Sequence, residues 1–170
     1  MFRHHSFLFA MLAMILLFAC EEDKPATVTA DPEITGSLVR VEGCKSGFTR
    51  GEVGSNSSCI TFTYDTATQQ LALKHVNAAF NCCPESIHSD ISVEKGVIRI
   101  IESETGPNCR CNCLYDLEMV VENVPPKVFM VVVDEPLRND QETPIEFSID
   151  LRTERQGEHC VPRNSYPWGM

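Results

Sequence analysis

Five cysteines fall within two short words of this chain, "NCCPESIHSD" (Asn81–Asp90) and "CRCNCLYDLEMVV" (Cys109–Val121). Sulfur at that density bridges strands, holds a metal or carries out redox chemistry, and the compartment in which the chain folds decides among them. The first twenty residues, "MFRHHSFLFAMLAMILLFAC", point to that compartment. Arg3 with His4 and His5 makes a short basic start, Phe7 to Phe18 is unbroken apolar sequence, and Ala19 supplies a small residue before Cys20. A helix needs about 20 apolar residues to span a bilayer core. This shorter run therefore predicts a secretory leader over residues 1–19.

Leu17-Phe18-Ala19-Cys20 resembles the bacterial lipobox, with Phe18 bulkier than that position usually holds. The resemblance implies that Cys20 becomes the first mature residue and carries lipid on its sulfur and its amine. The following "EEDKPATVTADPE" has no hydrophobic period and reads as a flexible acidic tether over residues 20–35. Glu21, Glu22 and Asp23 also resemble the surface-export signal of Bacteroidetes lipoproteins, which places the outer leaflet of the outer membrane beside the periplasmic face as a destination.

With Cys20 lipidated, eight cysteines remain, at 44, 59, 82, 83, 109, 111, 113 and 160. An even count in an exported chain predicts a disulfide set, although eight cysteines allow 105 pairings. Read as extended strand, Cys109, Cys111 and Cys113 share a face, too far apart to bond to one another. Bridges from the bend at Cys82-Cys83-Pro84 to this segment are the geometric expectation. Cys44 and Cys59 flank a Gly/Ser-rich loop, and a bridge closing it is the easiest pairing to expect, stabilising by about 3 kcal/mol in the chain-entropy model. The alternative is a zinc–thiolate site built from Cys82, Cys83, Cys109, Cys111 and Cys113. The C-C and C-x-C spacings are not the C-x2-4-C knuckle of structural zinc, so disulfides are the stronger reading.

Period-two alternation recurs through the mature region, and no stretch sustains a helical period. Strands are predicted at "SLVRV" (37–41), "CITFTYD" (59–65), "QLALKHVNAAF" (70–80), "SIHSDISV" (86–93), "VIRIIES" (97–103), "CLYDLEMVVE" (113–122), "KVFMVVV" (127–133) and "PIEFSIDLR" (144–152). Ile60, Phe62 and Tyr64 share one face of the second. Ala72, Val76, Ala78 and Phe80 are expected on one face of the third, together with Lys74. Tyr115, Leu117, Met119 and Val121 are expected inward, opposite Asp116, Glu118 and Glu122. Glu94-Lys95-Gly96 signals a hairpin. The pattern predicts an all-β fold: an antiparallel, disulfide-stabilised β-sandwich of immunoglobulin-like type over residues 36–152, with a closed barrel second. Residues 153–170 lack a period and read as a tail docked on the domain, with Cys160 available to tie it down.

The formal net charge is −10, and loss of Arg3 with the leader makes the mature part more acidic still. Without a Lys/Arg cluster such a surface repels phosphate backbones, which excludes nucleic acid as a partner. His75, His88 and His159 show no HxH or HExxH spacing and read as ordinary hydrogen-bonded or exposed histidines. No nucleophile or phosphate-loop motif appears, so no catalytic constellation and no cofactor are expected. "DEPLRNDQETP" gathers Asp134, Glu135, Asn139, Asp140 and Glu142, oxygen ligands of the kind calcium takes, but without EF-hand spacing they read as a solvated loop. Asp65-Thr66-Ala67 resembles the Asp-Ser/Thr-apolar O-glycosylation acceptor of Bacteroidetes. Trp168, the only tryptophan, is expected to dock on its own domain.

Together, "KHVNAAFNCCPE", "CRCNCLYDLEMVVENV" and "SYPWG" resemble a group of small Bacteroidetes lipoproteins that share NCCP and CxCxC words. The likeness implies an exported β-domain and carries no activity with it. The sequence therefore predicts a binding or accessory module held at the membrane by lipid, with a protein or glycan ligand. A zinc or calcium site protein and a purely structural envelope component are the alternatives.

Overall fold

The computed structural model describes residues 32–45, 56–165 and 167. Cys20 and Trp168 lie outside them. Nine strands are present among the described residues, and no helix there is long and apolar enough to cross a membrane. In chain order they are β1 (Thr35–Glu42), β2 (Ser57–Asp65), β3 (Gln70–Asn81), β4 (Ser86–Glu94), β5 (Val97–Thr105), β6 (Asn112–Glu122), β7 (Val128–Asp134), β8 (Ile145–Asp150) and β9 (Gln156–Pro162). They form a five-stranded sheet ordered β1-β6-β3-β2-β9 and a four-stranded sheet ordered β4-β5-β7-β8.

The first eight strands coincide with the alternating runs, because each must put one apolar face on a neighbouring sheet. Ile60, Phe62, Tyr64, Leu117, Met119 and Val121 from the larger sheet join Ile98, Ile100, Phe129, Val131, Ile145 and Ile149 from the smaller one in a single core. The β4–β5 hairpin closes on a two-residue turn, with Lys95 at φ 50° and Gly96 at φ 82°. That is the pair of left-handed residues a tight hairpin requires, which accounts for glycine at 96.

Three expectations need correction. The sheets are not wholly antiparallel: β5 pairs parallel with β7, from Val97↔Met130 to Ile101↔Asp134, because the chain leaves for the other sheet as β6 between them. Residues 153–170 are not a tail without regular structure, since β9 pairs with β2 from Ser57↔Pro162 to Thr63↔Gln156. Only Val161 of β9 is fully buried, so an edge strand of this kind carries almost no apolar period. Gly157 fits there because a Cβ would sit 2.6 Å from the Phe62 ring.

The third correction is one of phase. The inward face of β3 is Leu71, Leu73 and His75, not Ala72, Lys74 and Val76. A bulge between Val76 and Ala78 then shifts the register against β6. Asn77 occupies it at φ 66°, a conformation asparagine tolerates better than most residues. Ala78 and Phe80 therefore do face inward, and His75 is carried into the core with Leu71 and Leu73.

Candidate functional site

Four ionisable side chains lie sealed between the sheets. His75 is on β3, Glu102 on β5, Glu135 just after β7 and Arg163 just after β9, and their side chains are 0–1 % exposed. His75 Nδ1 lies 2.6 Å from Glu102 Oε1, and its Nε2 lies 2.7 Å from Ser58 Oγ on β2. Arg163 Nη2 donates to both oxygens of Glu135 at 2.6 Å, and Nη1 donates to the Thr143 carbonyl at 3.1 Å. Glu135 Oε1 is 3.8 Å from His75 Nε2. The second oxygen of Glu102 is buried and takes no hydrogen bond from the described residues.

The electrostatics follow from burial and from who faces whom. Burial disfavours the imidazolium, but the charge and hydrogen bond of Glu102, with Glu135 behind, outweigh it and hold the His75 pKa above its ordinary value. Burial pushes the Glu135 carboxyl up, against the pull of His75 and Arg163. With His75 protonated, two cations face two carboxylates and the interior is neutral. Buried charge is tolerated only when paired in this way.

Ser58, His75 and Glu102 use the same nitrogens as a nucleophile–base–acid triad: hydroxyl on Nε2, carboxylate on Nδ1. Two features keep the arrangement from acting as one in this state. Ser58 is 0 % exposed, so no substrate reaches its oxygen. In its protonated form His75 donates to Ser58 Oγ instead of accepting its proton, and a base must accept. The cluster works as a charged spine between the sheets.

The eight predicted cysteines are all paired: Cys44–Cys113, Cys59–Cys160, Cys82–Cys111 and Cys83–Cys109. The expected bridges from the NCCP bend are present. The Cys44–Cys59 pairing is not. β1 lies beside β6 and β9 beside β2, so the sheet order hands Cys44 to Cys113 and Cys59 to the directly opposed Cys160. Only Cys113 stands in β6, whereas Cys109 and Cys111 lie in the segment leading into it, so the three do not line one strand face. Asn81 organises this knot. Its Oδ1 accepts from the amides of Cys83 (3.2 Å) and Cys109 (3.0 Å), and its Nδ2 donates to the Cys109 carbonyl at 2.7 Å. With Cys113 bonded to Cys44 and the other four bonded to one another, none of the five stands as a thiolate for zinc. Cys59, Cys160 and Glu158 form the one group with metal-ligand proximity among the described residues, and its two sulfurs are likewise joined.

The acidic loop does not converge on a cation. Asp134 pairs with Arg99 at 2.6 Å and Glu135 with Arg163, while Glu142 accepts from the amides of Asn164 and Ser165. His88 is exposed and bonds Ser86, and His159 stacks on Phe147 with centroids 4.5 Å apart. Thr66 sits exposed in the β2–β3 turn, where Asp65 Oδ1 accepts from the Ala67 amide. A depression of about 260 Å³ lies on the outer face of the larger sheet, with Val39, Thr61, Ala72, Lys74, Glu118 and Val120 among its lining residues.

Ser58, Glu102 and Arg163 did not stand out in the sequence, yet two of the acids carried a readable signal. Glu102 continues the inward phase of Ile98 and Ile100, and Glu135 continues that of Phe129, Val131 and Val133. A charged residue where alternation demands an apolar one marks a buried partner. No family model, no curated protein and no solved structure matches the chain.

Proposed function

We propose that the chain is an envelope lipoprotein, anchored through lipid on Cys20, whose disulfide-stapled β-sandwich acts as a binding or accessory module. The observation that carries this reading is the pairing of all eight cysteines downstream of Cys20. Such a set persists in oxidising compartments outside the cytoplasm. The leader, the lipobox-like word and the acidic tether add the route and the anchor, and the outer membrane is the destination they favour. The sandwich is immunoglobulin-like in this reading, with sheets of five and four strands packed face to face, and the chain joins the lipoprotein group sharing its NCCP and CxCxC words.

The ligand face is the outer surface of the larger sheet. There the depression beside Val39, which is 62 % exposed, offers apolar Ala72 and Val120 next to charged Lys74 and Glu118 to a protein or glycan. Nothing in the buried cluster argues for turnover, because its hydroxyl is sealed. Intact-mass measurement of protein extracted from its native envelope tests the reading. Alkylation before reduction should add nothing, alkylation after reduction should add eight groups, and the new N-terminal residue should carry acyl chains. Free thiols with an unacylated N-terminus would sink it.

A further inference from the structure

Cys59 and Cys160 differ from the other bridged cysteines in where they stand. Both lie inside strands that pair with each other, and they are direct partners in the register of β2 with β9. Cys44 follows β1, Cys82 and Cys83 occupy the bend after β3, and Cys109 and Cys111 precede β6. Each of those three bridges therefore has at least one member outside a strand. The β2–β9 ladder runs from Ser57↔Pro162 to Thr63↔Gln156, with pairs on both sides of the bridge. Breaking the S–S bond thus leaves both sulfurs facing each other instead of freeing a loop.

Glu158 supplies a third group. It stands two residues before Cys160 on the same face of β9, opposite Thr61. A carboxylate oxygen of Glu158 and the two sulfurs lie within 4.8 Å of one another. Glu158 is exposed, and its carboxylate makes no ion pair or hydrogen bond with the described residues. His159, between them in sequence, is on the other face and stacks on Phe147. Two thiolates and one carboxylate make a three-ligand set of the kind tetrahedral zinc takes, with the fourth position left for water or a ligand. Zinc–sulfur bonds of about 2.3 Å set two sulfurs about 3.8 Å apart. Directly opposed residues of an antiparallel pair reach that spacing by side-chain rotation.

We propose that Cys59, Cys160 and Glu158 form a zinc site that becomes available when a dithiol reduces the Cys59–Cys160 bridge. A thiolate of the dithiol attacks the sulfur of Cys160, which is exposed whereas Cys59 is sealed, and Cys59 leaves as a thiolate. The second thiol of the reductant then displaces Cys160 and closes the reductant's own disulfide, so two electrons and two protons pass to the protein. Zinc binding releases those two protons from the sulfurs. The metal then replaces the covalent staple between β2 and β9 with a reversible one.

The full chain, treated with a dithiol, freed of it by gel filtration without oxygen and titrated with zinc chloride, tests this. Bound metal is counted, and free thiols are alkylated and mapped. Wild type should bind about one more zinc per chain than Cys59→Ser/Cys160→Ser treated alike, a difference that sets this site apart from zinc held by thiols freed at the other bridges. Zinc should also shield Cys59 and Cys160 from alkylation. Glu158→Gln keeps both sulfurs and should weaken that zinc by about tenfold or more. Amide exchange along β9 should stay slow in the zinc-loaded form. Equal zinc counts in wild type and the double variant, alkylation of Cys59 and Cys160 undiminished by zinc, unchanged affinity in Glu158→Gln, or loss of β9 protection would each overturn the site.

Discussion

The bridges Cys82–Cys111 and Cys83–Cys109 are nested, and nesting makes their contributions unequal to any simple sum. The inner pair closes a separation of 26 residues and the outer one of 29. In the chain-entropy relation either bridge alone restrains the unfolded chain by about 3.5 kcal/mol. Once one is formed, the other closes only the short ring through Cys82-Cys83 and Cys109-Arg110-Cys111. The same relation assigns that ring about 1.6 kcal/mol. Replacing one pair by serine should therefore cost about 1.6 kcal/mol, whichever pair is chosen, and replacing both should cost about 5 kcal/mol. The double loss exceeds the two single losses by about 2 kcal/mol, because each bridge stands in for its neighbour. Urea unfolding of the three variants under oxidising conditions, with slopes compared, measures this directly. Strict additivity to within about 0.5 kcal/mol would refute it and place the stabilisation in native contacts around Asn81 instead.

Asp116 sets an acid limit of its own. Burial works against its charge, but Lys45 at 2.6 Å, the Asn77 amide and Lys74 hold its pKa below the ordinary value. A lowered pKa gives stability that is complete above about pH 4 and is lost as pH falls through the folded pKa. Asp116→Asn should thus unfold at lower urea than wild type at pH 7 and show a flatter decline below pH 4. Phe80, fully buried and edge-on to Tyr115 with centroids 5.9 Å apart, should lose about 3–5 kcal/mol on Phe80→Ala in the same unfolding assay. Gly157→Val places a Cβ against the Phe62 ring. It should cost about 1–3 kcal/mol and raise exchange along β9, while leaving the β4–β5 hairpin untouched.

The strands were legible wherever one face was buried and the other wet, since that condition imposes the period of two. β9 was not, because a sheet-edge strand in which only Val161 is fully buried leaves almost no apolar record. The inward phase of Tyr115 to Val121 follows from alternation, whereas that of Leu71 to His75 does not, because a bulge at Asn77 reverses phase within one strand. His75 was singled out, but its surroundings were not. Glu102, Glu135 and Arg163 come from three distant parts of the chain, and only the sheet order brings them to it. Likewise the NCCP bend disclosed its own bridges, which are local to two adjoining strand ends. Cys44 and Cys59 answered to the order β1-β6-β3-β2-β9, which spacing along the chain does not encode.

That sheet order has a further cost during biogenesis. Of the four bridges among the described residues, only Cys83–Cys109 joins cysteines that are consecutive along the chain. A polypeptide emerging N-terminus first presents Cys44 and Cys59 to an oxidant long before Cys113 and Cys160 arrive. The first pair that oxidation on emergence would create, Cys44 with Cys59, is a wrong one. Maturation therefore requires either delayed oxidation or an isomerase that undoes early mistakes, and yield from a host lacking such an enzyme should be limited by scrambled species, not by slow collapse.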